Sequence, residues 1–294
     1  MEKKLKIEKN KLYLVTGGTG FLGKSLIKRI LEQGGLIRVI SRNEGKLIEL
    51  KQAFPSIEIL TGDICDVHSI HQACMNINGI FHLAAAKHVG LAETQSRECI
   101  KTNTIGSLNI LEETSKSDMD FILGISTDKA AQVSGVYGAS KMLMEKLFRQ
   151  FESNNTQIEY RIVRYGNVLY STGSVLCKWK ERIKNAEHIV ITEPLATRYF
   201  WTVEQAIDLI FNCMENATNS SPFCPEMKSI SIGDLLLAMV DKYLPHDIDK
   251  QIYLNNVKTI GLQKGENLHE KILEDGKNSN EVEKFTIEEI IKMI

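Results

Sequence analysis

Short apolar runs alternate with stretches of helical periodicity over the first 164 residues. Leu12-Tyr13-Leu14-Val15, Ile37-Arg38-Val39-Ile40, Ile57-Glu58-Ile59-Leu60, Ile80-Phe81-His82-Leu83, Phe121-Ile122-Leu123-Gly124-Ile125 and Glu159-Tyr160-Arg161-Ile162-Val163-Arg164 have the length and composition of strands. Leu26, Ile27, Ile30 and Leu31 recur at helical spacing up to the stop at Gly34-Gly35, and Met142, Leu143, Leu147 and Phe148 mark another helix. A long helical region is expected from about Leu91 to Ser115. This alternation predicts an α/β fold, a doubly wound parallel sheet covered on both faces, with its ligand site beyond the carboxyl ends of the strands.

After Arg164 the pattern changes. Tyr165-Gly166-Asn167-Val168 reads as a turn at a strand end, Ser174 to Ile183 as a helix and His188-Ile189-Val190-Ile191 as a short strand. Helices are expected at about Thr202 to Met214 and Ile232 to Tyr243, a strand near Gln251 to Leu254, and a last helix from Thr286, where Glu289 completes a capping box. No repeat or clean linker appears. Residues 1–165 are expected to form a dinucleotide-binding domain, and residues 166–294 mainly a smaller C-terminal substrate-binding lobe interleaved with the first.

The polar motifs fall at the predicted strand ends. After the first strand comes Thr16-Gly17-Gly18-Thr19-Gly20-Phe21-Leu22-Gly23, whose glycines permit a tight turn, a close approach to a pyrophosphate and close helix packing, a Rossmann-type arrangement. The second strand ends in Ser41-Arg42-Asn43 where an NAD site would carry a carboxylate. A guanidinium there pairs with a 2′-phosphate, so NADP is predicted, with NAD as the alternative and a solvated loop cation as the bland reading of Arg42. Asp63 is placed for the adenine edge, small Ala84-Ala85-Ala86 leaves room for the cofactor, and Lys87 for a phosphate or substrate hydroxyl or for a structural role. Tyr137 and Lys141 are four positions apart, hence on one helix face, and a nearby cation lowers a phenol's pKa from its usual ~10. Asp128 and Lys129, leaving the fifth strand, offer a second acid-base pair. Taken alone, a Tyr-x-x-x-Lys spacing is a common surface pattern; its coincidence with the other strand-end motifs makes it a catalytic candidate.

Composition narrows the function classes. The 294 residues are 43% hydrophobic and 25% charged, with a formal net charge of −1, which gives no electrostatic footprint for nucleic acid or an anionic membrane. No apolar run has the length of a membrane span and no leader pattern opens the chain, so a cytoplasmic protein is expected. Cys65, Cys74, Cys99, Cys177, Cys213 and Cys224 are scattered as buried reduced thiols would be; His68 and His71 lack partners at metal-ligand spacing, and no metal is expected. Glu2-Lys3-Lys4-Leu5-Lys6 reads as a solvated lead-in. Asn154-Asn155-Thr156 and Asn216-Ala217-Thr218 match the glycosylation pattern, which means little without secretion.

These motifs, with Ala92-Glu93, Glu98-Cys99-Ile100-Lys101-Thr102-Asn103, Ser126-Thr127-Asp128-Lys129-Ala130, Tyr137-Gly138-Ala139-Ser140-Lys141, Arg164 to Val168, Gly173-Ser174-Val175, Thr197-Arg198 and Gly265-Glu266 before Leu268-His269-Glu270, resemble the extended short-chain dehydrogenase/reductase superfamily. More narrowly they are similar to the soluble UDP-N-acetylglucosamine 4,6-dehydratases, the Thr-Asp-Lys triplet being the most specific element. The resemblance implies that Gly17, Thr19, Gly20, Phe21, Leu22, Gly23, Ser41, Arg42, Asn43, Lys46, Asp63, Ile64, Leu83, Ala84, Ala85, Lys87, Thr102, Tyr137, Lys141 and Val168 surround the cofactor. It implies Lys87, Asn167, Ser174, Val175, Thr192, Arg198 and Glu266 for a UDP-sugar, Arg198 on its diphosphate, each with a structural polar role as the other reading.

In the implied mechanism Tyr137 removes the C4 hydroxyl proton, Lys141 holds the phenolate and the nicotinamide ribose, Thr127 bonds the C4 oxygen, Lys129 takes the C5 proton and Asp128 protonates the departing C6 hydroxyl. Lys129 then needs a lowered pKa, expected from partial burial and the neighbouring cation. A homo-oligomer is implied. The alternatives are a 4-epimerase or keto-sugar reductase, which has no use for Asp128-Lys129, and a cofactor-binding sensor without turnover. The chain departs from the family at Gln132-Val133, where Asn-Pro is usual, so that a less rigid loop is expected, at Tyr170 and Thr172, where Gly and Arg are usual, and at Gln263-Lys264, where Arg-Pro is usual. Lys178 or Lys264 would have to replace the missing arginines at a diphosphate.

Overall fold

The computed structural model describes residues 4–155 and 157–294. In chain order the first half runs β1 (Leu12–Thr16), α1 (Phe21–Glu32), β2 (Leu36–Ser41), α2 (Glu44–Ala53), β3 (Glu58–Thr61), α3 (Val67–Ala73), β4 (Gly79–His82), α4 (Val89–Thr94), α5 (Ser96–Ile100), a π-helical turn at Lys101–Ile105, α6 (Gly106–Thr114), β5 (Phe121–Thr127), a 3₁₀ turn at Asp128–Ala130, α7 (Val136–Asn154) and β6 (Glu159–Tyr165). The second half runs β7 (Asn167–Val168), α8 (Val175–Lys184), β8 (Val190–Ile191), β9 (Thr197–Trp201), α9 (Val203–Asn216), β10 (Pro222–Phe223), β11 (Ser229–Ser231), α10 (Ile232–Tyr243), α11 (Lys250–Asn255), β12 (Lys258–Thr259) and α12 (Ile287–Met293).

Seven strands form one sheet in the order β10-β6-β5-β4-β1-β2-β3, parallel throughout, which is the doubly wound sheet expected from the sequence. Neighbouring residues on a strand face opposite ways, so each strand feeds two cores. Val15, Val39, Phe81, Leu123 and Val163 pack on one side with α1 and α9; Leu14, Ile40, Ile80, Ile122 and Ile162 pack on the other with α3, α6 and α7. The rest of the chain builds a third core from α8, α10, α12 and β9. α9 and β10 return to the first sheet, α9 against α1 and β6, and β10 as the edge strand beside β6. Among the described residues no helix is long and apolar enough to cross a membrane.

Several expectations are corrected. The helical region expected from Leu91 to Ser115 begins at Val89 and breaks at Gln95, whose φ −122 and ψ 49 are not helical, and its middle is the π turn. The strand expected at Gln251 to Leu254 is α11: the Asp249 side chain caps it by accepting from Ile252 N, and Tyr253 is buried with its hydroxyl on Glu187 O. The expected turn at Tyr165 to Val168 holds β7, which pairs with β9, a buried strand whose mixed composition hid it. Leu5 and Ile7, in or beside the supposed solvated lead-in, are buried in the main core; Met1 to Lys3 lie outside the described residues. Cys65, Cys177 and Cys224 are only half-buried, unlike Cys74, Cys99 and Cys213. Thr156 of the Asn154 glycosylation pattern is likewise outside the described residues.

Candidate active site

The glycine loop between β1 and α1 forms a backbone cradle. Gly17 has φ +72, and a Cβ there would stand 2.7 Å from the Ala84 nitrogen and 2.8 Å from the Leu83 carbonyl carbon, so only glycine fits. A Cβ on Gly23 would stand 2.6 Å from both Gly17 O and Gly18 Cα. The N-terminus of α1 follows Gly20 with no side-chain cap and no acidic residue in its first turn, where Phe21, Leu22 and Gly23 lie; its N–H groups and dipole suit a pyrophosphate, and the residues fit a dinucleotide. Leu83 N and Ala84 N donate to Thr16 O and Thr16 Oγ1, and half-buried Ala85 follows.

At the end of β2, Thr19 Oγ1 and Ser41 Oγ are 3.3 Å apart. Arg42 is exposed, its guanidinium 3.9 Å from Asp63 Oδ2, while Asp63 Oδ1 accepts from Cys65 N. The side chain of Asn43 is structural, its Oδ1 accepting from Lys46 N to cap α2. Ile64 is buried against Gly106, Thr102 and Val168 are half-buried, and the residue that sequence reasoning passed over beside Thr102 is Asn103. Fully buried, Asn103 accepts from Ala86 N at 2.7 Å and donates to Ala86 O and Ser140 Oγ at 2.9 Å each, tying the end of β4 to α7. His82, buried between Thr16 Oγ1 and Ser107 Oγ, is held neutral as burial and then the Lys141 charge depress its pKa to about 3.

The titratable candidates gather where β5 ends. Register pairs Thr127 with Tyr165, so the 3₁₀ turn of Asp128 and Lys129 emerges beside the end of β6. A Cβ on Gly138 would overlap the Lys129 carbonyl oxygen, and its absence lets α7 set Tyr137 against that turn. Thr127 Oγ1 donates to Asp128 Oδ1 at 2.7 Å. Lys129 Nζ donates to Asp128 Oδ1 and Oδ2 at 3.2 and 3.3 Å and to Glu270 Oε1 at 2.9 Å, and Arg198 Nε is 3.3 Å from the same Glu270 oxygen. Two carboxylates and two cations, all largely buried, therefore interlock. A narrow cleft lined by Val89, Lys129, Ser134, Gly135, Tyr137, Gly138 and Gly265 opens on this cluster.

Two electrostatic expectations are reversed. Burial disfavours the charge on Lys129, yet the carboxylates of Asp128 and Glu270 outweigh it and hold its pKa above the usual lysine value. Among the described residues, the groups that chiefly set it include no cation. Burial raises the pKa of Tyr137, and the charge that opposes this is Lys129, helped by a bond to Thr127. Lys141 is buried with Nζ directed at Met144 Sδ, 3.3 Å away, its own pKa lowered by burial to about 8. For Asp128, burial favours the neutral acid, but Lys129 and its hydrogen bonds bring the pKa below the usual carboxylate value. Burial and the Asp128 charge push Glu270 up to about 8.

The substrate candidates are less tightly gathered. Lys87 Nζ donates to Thr172 O at 3.1 Å, Asn167 Nδ2 to Tyr199 O at 3.3 Å, and Ser174 heads α8 without bonding its N–H groups. Val175 is exposed, Thr192 half-buried, and Glu266 accepts from Gln263 N within a turn. Arg198, expected on a diphosphate, is committed to Glu270, Thr197 O and Leu268 O. Tyr170, where the family pattern has glycine, has φ +55, the left-handed backbone that favours glycine, and its hydroxyl meets Tyr243 OH at 2.9 Å. The loop around Gln132-Val133 is tied to the later chain by Asn267 Nδ2 on Gln132 O and Ser134 Oγ on Gly265 O. Glu270 and Arg198 are the members of the cluster whose roles sequence reasoning missed; Leu268-His269-Glu270 was visible as a motif, but nothing in its spacing pointed to Lys129.

A protein-family model described as polysaccharide biosynthesis protein matches residues 13–291. A Methanocaldococcus jannaschii protein named only as an uncharacterized membrane protein is 34% identical over 90% of this chain and 81% of its own. A Campylobacter jejuni UDP-N-acetylglucosamine 4,6-dehydratase (inverting) is 33% identical over 87% of this chain and 75% of its own. A Rickettsia rickettsii UDP-glucose 4-epimerase is 31% identical over 90% and 78%. The fold matches that of a Streptomyces venezuelae dTDP-glucose 4,6-dehydratase solved with NAD bound, with a TM-score of 0.78 at 16% identity over 96% of this chain and 95% of that one.

Proposed function

The chain belongs to the polysaccharide biosynthesis protein family of extended short-chain dehydrogenases/reductases, and from that premise we propose that it is an NADP-dependent UDP-N-acetylglucosamine 4,6-dehydratase. The observation that carries the reading is the buried Thr127-Asp128-Lys129 cluster beside Tyr137. Oxidising a sugar alcohol needs one base; expelling a hydroxyl from the next carbon but one needs a further acid and base, and here they lie together.

The glycine loop and the N-terminus of α1 would hold NADP, which would supply a hydride acceptor for C4 and a donor for C6. Tyr137 takes the proton of the C4 hydroxyl, helped by the Lys129 charge, and Thr127 bonds the C4 oxygen. The 4-ketone acidifies C5, Lys129 takes the C5 proton as a free amine, and Asp128 protonates the C6 hydroxyl as it leaves. Lys129 then returns its proton to C5, and the O4 proton held by Tyr137 restores the Lys129 ammonium. The proton lost from O4 balances the hydroxide lost from C6, so water is the only net product besides the UDP-4-keto-6-deoxy-N-acetylhexosamine. Burial excludes water that would otherwise compete for these protons.

A second reading, a nucleotide-sugar 4-epimerase or keto-sugar reductase, is favoured by the relationship to the rickettsial epimerase, and it uses Tyr137 and Lys141 alone. Mass spectrometry after incubation with UDP-N-acetylglucosamine separates the two. A product lighter by one water supports dehydration; an isobaric product, or turnover only with added NADPH, overturns it.

A further inference from the structure

The dehydratase reading requires Lys129 to be a free amine and Asp128 a neutral acid at the same moment, whereas the cluster holds them as ammonium and carboxylate. A third group is built to exchange those protons. Glu270, 4% exposed, comes from the segment after the last short strand, far along the chain from both partners. Its Oε1 takes the shortest of the Lys129 hydrogen bonds, 2.9 Å against 3.2 and 3.3 Å to Asp128. Its Oε2 is buried and finds no donor among the described residues. The Glu270 and Asp128 side chains lie within hydrogen-bonding reach of each other, and a bond between two carboxyls forms only when one of them carries a proton. Arg198 on β9 holds the same oxygen, Oε1, and Ser279 Oγ accepts from Glu270 N.

We propose that Glu270 is a positioning residue of the dehydration step, accepting the Lys129 proton through Oε1 and passing one through Oε2 to Asp128. The proposal rests on the dehydratase reading. Glu270, protonated at rest near neutrality, passes its proton to Asp128; the Nζ–H bond of Lys129 then breaks as an O–H bond re-forms on Glu270. Elimination transfers the C5 proton to Lys129 and the Asp128 proton to the leaving hydroxyl, so Lys129 is again ammonium, Asp128 again a carboxylate and Glu270 again protonated. No proton or electron enters from outside. The charged and titratable groups facing Glu270 are Lys129 and Asp128 from the 3₁₀ turn, Arg198 and Tyr199 from β9, and, across Lys129, Tyr137 from α7. The raised pKa of Glu270, about 8, suits a group that both takes and gives a proton near neutrality.

The test uses Glu270→Gln and Glu270→Asp in the NADP-loaded protein with UDP-N-acetylglucosamine in deuterated water, following reduced nicotinamide, water loss and their pH dependence. In Glu270→Gln we expect KM to stay within about twofold, reduced nicotinamide to accumulate, and water loss to fall roughly 100-fold. Glu270→Asp should recover part of that loss. In substrate-free protein an infrared band of a protonated carboxyl should vanish in the wild type as pH rises through about 8 and be missing from Glu270→Gln near neutral pH, a readout that needs no turnover. Water loss in Glu270→Gln at the wild-type rate with an unchanged pH profile, equal loss of oxidation and elimination, or a wild type without the band overturns the relay. A wild type that releases no water overturns the dehydratase reading and the relay with it; a wild type that does, beside an unaffected Glu270→Gln, overturns the relay alone.

Discussion

The ammonium of Lys141 lies 3.3 Å from the sulfur of Met144 rather than on the phenol of Tyr137, its neighbour one turn away on α7. The cation that acts on Tyr137 is Lys129. Lys141 is buried, and burial lowers its pKa to about 8, with the Glu145 carboxylate opposing.

A group buried at that cost leaves a mark on stability. Between about 8 and the ordinary 10.5 the unfolded chain holds the Lys141 proton and the folded chain does not, so the stability of the wild type rises with pH across that window. Lys141→Met abolishes the rise. Its stability should exceed that of the wild type by on the order of 3 kcal/mol below pH 8, and the difference should shrink towards pH 10.5. Urea unfolding at several pH values checks this; parallel curves would refute the buried charge. C4 oxidation by Lys141→Met should fall by about 10²-fold or more.

Which parts of this arrangement the sequence announced follows from the range of the interactions. The sheet was legible because each core strand is a local apolar run, and Leu14 and Val15, or Ile80 and Phe81, show their two buried faces in adjacent letters. The glycine loop and the Thr127-Asp128-Lys129 turn were legible because their chemistry is contiguous. Glu270 was not, since its partner Lys129 is 141 positions away and joined to it only by the fold. The direction of the Lys129 pKa was misjudged for the same reason: a single carboxylate beside a buried lysine leaves the outcome open, and the second one comes from elsewhere. The misread strand at Gln251 to Leu254 was decided by the Asp249 cap and the burial of Tyr253, neither of which an apolar run reports.

The segment carrying Glu270 is anchored by a buried arginine. Arg164 is wholly buried, its Nε and Nη2 paired with the two Glu145 oxygens at 2.7 and 2.5 Å, and it also binds Ile272 O and Glu274. Removing Glu145 strands a buried charge, so Glu145→Leu should cost about 3–5 kcal/mol. The Glu274 carboxylate is 62% exposed, and Glu274→Ala should cost less than about 1 kcal/mol. Urea midpoints at unchanged m measure both; equal costs would mean that the two carboxylates share the load.

The cradle predicts a contrast between two glycines. A Cβ on Gly23 meets the backbone of Gly17 and Gly18, which cannot move without opening the loop, so Gly23→Ala should weaken NADP by about tenfold or more and lower the melting temperature. Gly45 in α2 has only Asn43 Oδ1 nearby, at 3.5 Å, and Gly45→Ala should be neutral or stabilise by up to about 1 kcal/mol. Cofactor fluorescence titration of the two variants tests whether close approach, rather than helix propensity, selects glycine in the loop.

Arg42 and Asn43 are adjacent but act on different things, which makes them a test of cofactor choice. The Arg42 guanidinium is 68% exposed and reaches no closer than 3.9 Å to Asp63, so it is free to turn towards a 2′-phosphate. A charge-assisted pair there is worth about 1.5–3 kcal/mol, so Arg42→Ala should raise the Kd for NADP roughly 10- to 100-fold and leave the Kd for NAD unchanged. Asn43→Ala removes the α2 cap and should cost about 1 kcal/mol of stability while leaving both affinities within about twofold. Calorimetric titration of each variant with both nucleotides gives the answer. Equal weakening of NADP and NAD by Arg42→Ala, or a wild type that binds NAD at least as tightly, would remove Arg42 from the phosphate and make the choice of NADP untenable.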